Sequence, residues 1–211
     1  TSGVLAMLRR AASDQRRFGF IDAPLRARIE QAIARGDACL LQLQVRQRDS
    51  LAGWAGQYDD ATLQPAQGRA FELPAIVADE SVGVVRYLMS IPDPSPEIIA
   101  AIEGAVAWMR TVELKGWRLE TFDSEPEQYR YHASGKDRRL VADPAANGLW
   151  ARFYDLQDNS VVLATRDSKR VAHYSDIPRE RRTGYNWYGS WPQSLLTKDY
   201  PRWKAQLAPA R

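Results

Sequence analysis

Apolar residues recur at helical spacing in the first quarter of the chain. In residues 2–13, Leu5 and Leu8 lie on one stripe with other apolar residues. A second stretch begins at Asp22-Ala23-Pro24 and keeps a 3.6-residue period to about Gln47. Aspartate is a favoured N-cap and proline is tolerated in the first turn, so this triplet marks a helix start. We predict one helix over each stretch.

Two further helices are predicted between residues 79 and 112. The first opens at Asp79-Glu80-Ser81 and ends at the proline-rich residues 92–96. Ser95-Pro96 is a helix start, after which an apolar face continues to about Val112. The connection between the two helices is short, so they are expected to form an antiparallel pair.

A last helical pattern begins at Pro192 and includes Leu195, Leu196 and Trp203. Pro201 falls inside this pattern. Proline lacks an amide hydrogen, and its ring clashes with the preceding helical turn. We therefore expect Pro201 to break the helix in two.

Shorter runs with alternating polarity lie between the fourth and the last helical pattern. Residues 117–120 are predicted to form a short strand. Residues 150–156 and 161–165 flank a turn-forming Gln-Asp-Asn-Ser segment and are predicted to form a β-hairpin. Residues 171–174 are predicted to add an edge strand.

The sequence thus predicts a mainly α protein with a small β-hairpin and loop region near residues 117–190. Its length of 211 residues suits a single domain over residues 1–211. The paired helices suggest an α/α toroid, in which stacked hairpins resemble one another in structure without doing so in sequence.

Composition narrows the classes of function. The chain is 45% hydrophobic and 26% charged, as globular domains are. No apolar run approaches the roughly 20 residues of a membrane span, and no signal-peptide pattern is present. A net charge of +3 is too weak to predict nucleic-acid binding. One cysteine and two histidines give no metal-ligand spacing. We predict neither a membrane nor a nucleic-acid partner.

Arginines stand beside aromatic residues in two irregular segments. The first runs from Trp54 to Pro74, and long loops of this kind are disproportionately functional. The second comprises residues 150–154, Arg166-Asp167 and residues 180–188. Arginine binds carboxylates with two parallel hydrogen bonds. The pattern predicts a site for an anionic, ring-shaped substrate.

Six motifs in order resemble pectate lyases of polysaccharide lyase family 10. They are Gly53-Trp54-x-x-Gln57-Tyr58-Asp59, Arg69-x-Phe71-Glu72-Leu73-Pro74, Glu80-Ser81, Trp150-Ala151-Arg152-Phe153-Tyr154, Arg166-Asp167 and Glu180-Arg181-Arg182-x-Gly184-Tyr185-x-Trp187-Tyr188. Each motif alone is weak, but six in sequence along nearly the whole chain are specific.

The resemblance implies an irregular (α/α)3 toroid, of which this chain would hold a part. It also implies a secreted enzyme that cleaves polygalacturonate, the backbone of pectin, by calcium-dependent β-elimination. Arg69 would match the family's proton-abstracting arginine. Arg138, Arg152 and Arg166 would match arginines that hold substrate carboxylates.

The family's calcium-binding aspartates lie in an N-terminal part of the catalytic domain. We expect that part to precede the region covered here, and we therefore assign no metal ligand within this chain. The alternative function is an inactive pectate-binding or polyuronate-binding fragment without its calcium site.

Four further residues are candidate substrate contacts: Trp54, Gln57, Tyr154 and Tyr185. Flat rings such as Trp54, Tyr154 and Trp187 would pack on sugar rings, and Gln57 is either a substrate contact or a backbone clamp.

Several structural alternatives stay open for these residues. Trp54 and Trp187 are alternatively core residues. Arg69 alternatively pairs with Glu72 or Glu80, and Arg152 with Asp155 or Asp167. Residues 180–182 are alternatively a solvated charge run.

Overall fold

The computed structural model describes residues 1–207 and is mainly helical, as predicted. The α-helices are α1 (Ser2–Ser13), α2 (Gln15–Phe18), α3 (Ala23–Leu43), α4 (Ala78–Met89), α5 (Pro96–Thr111), α6 (Arg179–Gly184), α7 (Trp191–Ser194) and α8 (Tyr200–Leu207). A short 3-10 helix spans Tyr174–Asp176. No helix among these residues is both long and apolar enough to cross a bilayer. Closure into a toroid stays a prediction.

The predicted helix starts are confirmed by their caps. Asp22 accepts a hydrogen bond from the Leu25 amide at 2.8 Å, and Ser95 accepts one from the Ile98 amide at 3.4 Å. Helix α3 ends at Leu43, four residues earlier than predicted. The buried Gln44 explains this end, because its side-chain amide donates to the carbonyls of Ala52 and Ala101 instead of facing solvent.

Helices α4 and α5 supply much of the core. Leu88, Ile102 and Met109 are completely buried. A smaller cluster lies apart from this core, where Ala11 of α1 packs on Ile29 and Ile33 of α3.

Within residues 1–207, ten strands form five two-stranded antiparallel sheets. The strands are β1 (Arg46–Gln47), β2 (Ser50–Leu51), β3 (Ile76–Val77), β4 (Trp117–Gln128), β5 (Ala133–Ala142), β6 (Trp150–Ala151), β7 (Phe153–Tyr154), β8 (Leu163–Ala164), β9 (Arg170–Val171) and β10 (Tyr188–Gly189). They pair as β1–β2, β3–β7, β4–β5, β6–β10 and β8–β9.

The predicted hairpin between residues 150–156 and 161–165 is only partly right. A bridge joins Tyr154 to Val161, and the Asp155 amide donates to the Ser160 carbonyl at 2.8 Å. However, β7 pairs in regular register with β3, and β8 pairs with β9. The side chains of β7 are buried in the core. Its partner β3 lies almost 80 positions earlier in the chain, and local sequence patterns do not reveal such a distant pairing.

The hairpin β4–β5 is much longer than the strand predicted at residues 117–120. Neither strand contains a fully buried residue, and beyond residues 117–120 the sequence lacks the alternation that marks a half-buried strand. The register shifts between Asp123 and Glu127, where Pro126 lies. Proline cannot donate to the ladder and is placed at such irregularities.

The predicted break at Pro201 is absent. One π-helical turn, Leu195–Asp199, joins α7 to α8, and the Tyr200 amide donates to the Leu195 carbonyl five residues back. A widened turn relieves the clash between a proline ring and the preceding turn. The helix therefore continues through the proline.

Candidate active site

A buried tryptophan fixes the start of the loop that carries Arg69. The Trp54 indole nitrogen donates to the Leu40 carbonyl at 2.7 Å, and its amide donates to Ser81 Oγ at 2.8 Å. Next, the Tyr58 hydroxyl donates to the Leu43 carbonyl at 2.7 Å. These bonds hold the loop against the ends of α3 and α4.

Arg69 lies in a turn that Glu72 closes. The Glu72 carboxylate accepts from the Arg69 amide at 3.0 Å and from its guanidinium at 3.1 Å. The Tyr185 hydroxyl donates to the same carboxylate at 2.7 Å. The Arg69 side chain is 68% exposed, whereas that of Glu72 is 18% exposed. Glu72 therefore links the exposed arginine to Tyr185, and the Glu72 pairing left open by the sequence is confirmed.

Arg152 lies on the other side of Tyr185. Its guanidinium carbon is 5.2 Å from the Tyr185 ring centre and 5.5 Å from that of Trp191. Nη2 donates a hydrogen bond to Glu80 at 2.9 Å and forms an ion pair with Asp79 at 3.0 Å. The alternative that Arg152 pairs with Asp155 or Asp167 is therefore wrong.

The surroundings of Arg152 leave it charged but incompletely bonded. Burial lowers the pKa of Arg152, but the nearby Glu80, Tyr185 and Asp79 outweigh that effect and raise it overall. Its buried Nε has no hydrogen-bond partner within the described part of the chain. This Nε is shielded from solvent, so it is not itself open to an incoming anion.

Arg166 and Arg181 share one carboxylate. Glu180 accepts from Arg166 at 3.1 and 2.8 Å and from Arg181 at 2.8 and 2.7 Å. Both guanidiniums also face Phe71, at 5.9 Å for Arg166 and 5.3 Å for Arg181. Arg181 is only 8% exposed, so the alternative of a solvated charge run over residues 180–182 is wrong.

Arg138 approaches the same region from the hairpin. Its Nη1 lies 3.4 Å from the carbonyls of Arg182 and Tyr185 and 3.3 Å from Asn186 Oδ1. Unlike Arg152 and the other two site arginines, it is held by neutral oxygens. Each of the four predicted arginines thus contacts one of three neighbouring residues: Arg69 contacts Glu72, Arg166 contacts Phe71, Arg152 contacts the Tyr185 ring and Arg138 contacts the Tyr185 carbonyl.

The predicted aromatic contacts divide into two groups. Trp54, Tyr154 and Trp187 are 2%, 1% and 1% exposed, so none of these rings is open to a sugar. The prediction that these three rings pack on sugar rings is therefore wrong. They are core residues whose polar atoms donate to backbone carbonyls. Tyr185, by contrast, is half-buried inside the arginine cluster.

Gln57 lies at the edge of this cluster. Its carbonyl accepts from the Ala66 amide at 3.0 Å, which clamps the loop backbone. Gln57 is also exposed, and it lines a cavity of about 60 Å³ together with Glu72 and Glu80. Both functions left open by the sequence are compatible with this position.

Phe71, Glu180 and Arg181 belong to the site but were not predicted as its members. All three stand within the recognised motifs, Phe71 two residues after Arg69 and the other two in the Glu-Arg-Arg run. The adjacency of Phe71 to Arg69 was the available signal. The sharing of Glu180 between two arginines depends on tertiary packing.

The described residues do not fit a calcium site. No group of three or more His, Cys, Asp and Glu side chains within residues 1–207 is arranged to hold a metal ion. The adjacent carboxylates of Asp79 and Glu80 both bond to Arg152.

The Glu180 cluster predicts a pH-dependent contribution to stability. Hydrogen bonds from Arg166 and Arg181 lower the pKa of Glu180 to about 2. A carboxyl with a depressed folded-state pKa stabilises the fold above its ordinary value of about 4.3 and loses that contribution as the pH falls toward 2. Glu180→Gln should therefore melt below the unchanged chain at pH 6, and the gap in melting temperature should close between pH 4.5 and 2. A constant gap across this range would contradict the assignment.

Two solved structures from Cellvibrio cellulosa resemble this fold over 95% of the chain. One is a family 10 polysaccharide lyase, and the other is a mutant of a family 10 polysaccharide lyase in complex with trigalacturonic acid. Each aligns with a TM-score of 0.79 and 29% sequence identity. The chain covers 59% of the length of each. No curated protein matches the sequence significantly.

The sequence model of the family described as pectic acid lyase matches residues 2–196. This match spans nearly the whole chain and includes all the residues of the arginine cluster. The chain therefore belongs to the pectic acid lyase family.

Proposed function

We propose that this chain forms the substrate-binding and proton-abstracting part of a pectate lyase that cleaves polygalacturonate by β-elimination. The observation that carries the proposal is the meeting of Arg69, Arg138, Arg152 and Arg166 around Tyr185 and its neighbours in a chain of this family. A solved relative that binds trigalacturonic acid supports the substrate class. As a polymer-degrading enzyme, the protein is proposed to act outside the cell.

The carboxylates of polygalacturonate have donors available in this cluster. A guanidinium carries five N–H donors, and the protein carboxylates occupy only some of them. Within the described residues, Arg152 bonds through Nη2 alone, and the guanidinium of Arg138 is bound only to neutral oxygens. Neighbouring uronate carboxylates bound to these groups would fix the polymer in register beside Arg69.

Elimination then requires a base at the C5 proton of one uronate. The C5–H bond breaks and the proton passes to a neutral guanidine nitrogen of Arg69. The electron pair forms the C4–C5 double bond as the C4–O bond breaks, and the departing oxygen takes a proton from water. The hydroxide left behind removes the proton that Arg69 gained, which regenerates the neutral guanidine.

The pairing with Glu72 is not the working state of Arg69. A carboxylate partner stabilises the charged guanidinium, whereas nearby cations and loss of solvent favour the neutral form. We infer that substrate separates Arg69 from Glu72, which keeps its hydrogen bond from Tyr185. Arg69 would then be enclosed between sugar and the other guanidiniums.

A calcium requirement, implied by the family resemblance, is also proposed. The described residues do not supply its ligands, so no step above is assigned to the metal. A requirement for calcium would show as activity lost on chelation and restored by added calcium.

A second candidate function is polyuronate binding without cleavage. It is favoured by the lack of a metal-ligand cluster within residues 1–207 and by the ion pairs of three site arginines.

Two measurements on polygalacturonate separate the candidates. Formation of unsaturated uronate, followed by its absorbance with calcium present, is expected for the lyase. Retardation in affinity electrophoresis without that product would instead establish the binding module. The absence of both product and binding would contradict both functions.

A further inference from the structure

The hairpin β4–β5 touches the core through Leu119 and Leu140, and polar contacts hold the rest of it. Neither of its strands contains a fully buried residue. A two-stranded hairpin without a buried face is marginally stable in water. Its position must therefore be fixed by the element on which it lies.

Helix α6 provides that attachment. Arg179 donates to the carbonyls of Glu125 at 2.7 Å and Ser134 at 3.2 Å. Arg182 forms two bonds with Asp137, at 2.9 and 2.6 Å. The same helix carries Glu180, the partner of Arg166, so the hairpin is fastened to an element of the arginine cluster.

The tip of the hairpin reaches the cluster itself. His132 Nε2 lies 3.2 Å from Thr183 Oγ1 on α6. The preceding residue, Tyr131, places its ring centre 5.6 Å from the guanidinium carbon of Arg166. Arg130 lies 5.1 Å from the same ring. Two guanidinium groups therefore lie within 6 Å of the Tyr131 ring centre at the edge of the site.

The ring of Tyr131 is exposed to solvent, unlike the rings that the sequence predicted to pack on sugars. It is 67% exposed, whereas Trp54, Tyr154 and Trp187 are buried. A flat ring packs well against the C–H face of a sugar, and a neighbouring guanidinium binds a carboxylate. A uronate residue combines both features in one molecule.

We propose that Tyr131 and Arg166 form a subsite for one acidic sugar residue at the margin of the arginine cluster. The Tyr131 ring packs on the sugar, and Arg166 binds its carboxylate. This subsite rests on the proposed function, because its ligand is a uronate unit of the same polymer.

Binding of a galacturonate trimer, measured by calorimetry, tests the subsite. Tyr131→Ala is expected to weaken binding about fivefold, since aromatic packing of this kind contributes modestly. Tyr131→Leu, which keeps apolar bulk without a flat ring, should also weaken binding. Tyr131→Phe keeps the ring and should bind like the unchanged chain.

Phe20→Ala is the matched control. Phe20 is 81% exposed and contacts Phe18 at 6.1 Å between ring centres. Its removal should leave trimer binding unchanged.

The possible failures are distinguishable. Unchanged affinity in both Tyr131→Ala and Tyr131→Leu would overturn the subsite while leaving the proposed function intact. A loss in Tyr131→Phe equal to that in Tyr131→Ala would overturn the role of the ring. Absence of trimer binding by the unchanged chain would overturn the subsite together with polygalacturonate recognition.

Discussion

Arg69→Ala is expected to lower kcat on polygalacturonate by roughly 10²- to 10⁴-fold, the usual contribution of a positioned general base. Arg69→Lys should lose most of the turnover as well. Lysine keeps the positive charge, but its compact ammonium lacks the planar fork of donors that guanidinium presents. The measurement is the initial rate of unsaturated uronate formation, with KM determined separately.

The separate KM distinguishes a base from a binding residue. Loss of a base lowers kcat with little change in KM, whereas loss of a substrate contact also raises KM.

Arg118→Ala provides the control for these rates. Arg118 is also an exposed arginine paired with a glutamate, at 3.1 Å from Glu120, but it lies on the hairpin strand β4. Its replacement should leave kcat unchanged. Full activity in Arg69→Ala would show that another group takes the proton.

Trp54→Ala should destabilise the fold by about 3–5 kcal/mol, as is typical when a large core side chain is removed. The indole is 2% exposed, and its hydrogen bond to the Leu40 carbonyl would also be lost. Because Trp54 begins the loop that carries Arg69, some activity should be lost as this loop loosens. Equilibrium urea unfolding, followed by circular dichroism, measures the change.

Trp117→Ala is the matched control for this change. Trp117 is 44% exposed, so its removal should change the free energy of unfolding far less. A Trp54→Ala variant that unfolds like the unchanged chain but binds substrate poorly would restore the sugar-platform interpretation of Trp54.

Local signals predicted the helical part of the fold well. Asp22 and Ser95 cap their helices as expected because a capping side chain bonds within its own first turn. The pairing of β3 with β7 was not predictable in this way, since it depends on two buried segments far apart in sequence. The helix break predicted at Pro201 is wrong for a different reason. A widened π-helical turn before the proline lets the helix continue.

The candidate site was only partly predictable for the same reason. The motifs contain Arg69, Arg152 and Arg166, and the family resemblance added Arg138. The proximity of Glu72 to Arg69 in sequence made their ion pair foreseeable. The partners of Arg152 lie more than 70 positions earlier, so sequence neighbours gave the wrong carboxylates. Burial of the tryptophans was equally hidden, because aromatic residues suit both cores and sugar sites.

The backbone around Arg152 has a consequence for the sequence of events during binding. The Arg152 amide donates to the Trp187 carbonyl at 2.7 Å, and its carbonyl accepts from the Ala78 amide at 2.9 Å. Folding has therefore already removed much of the freedom that this residue would lose on meeting a ligand. Arg69, on an exposed turn, must still be immobilised. A polymer should consequently dock first on Arg152 and only then engage the exposed Arg69, so that proton transfer waits for correct alignment.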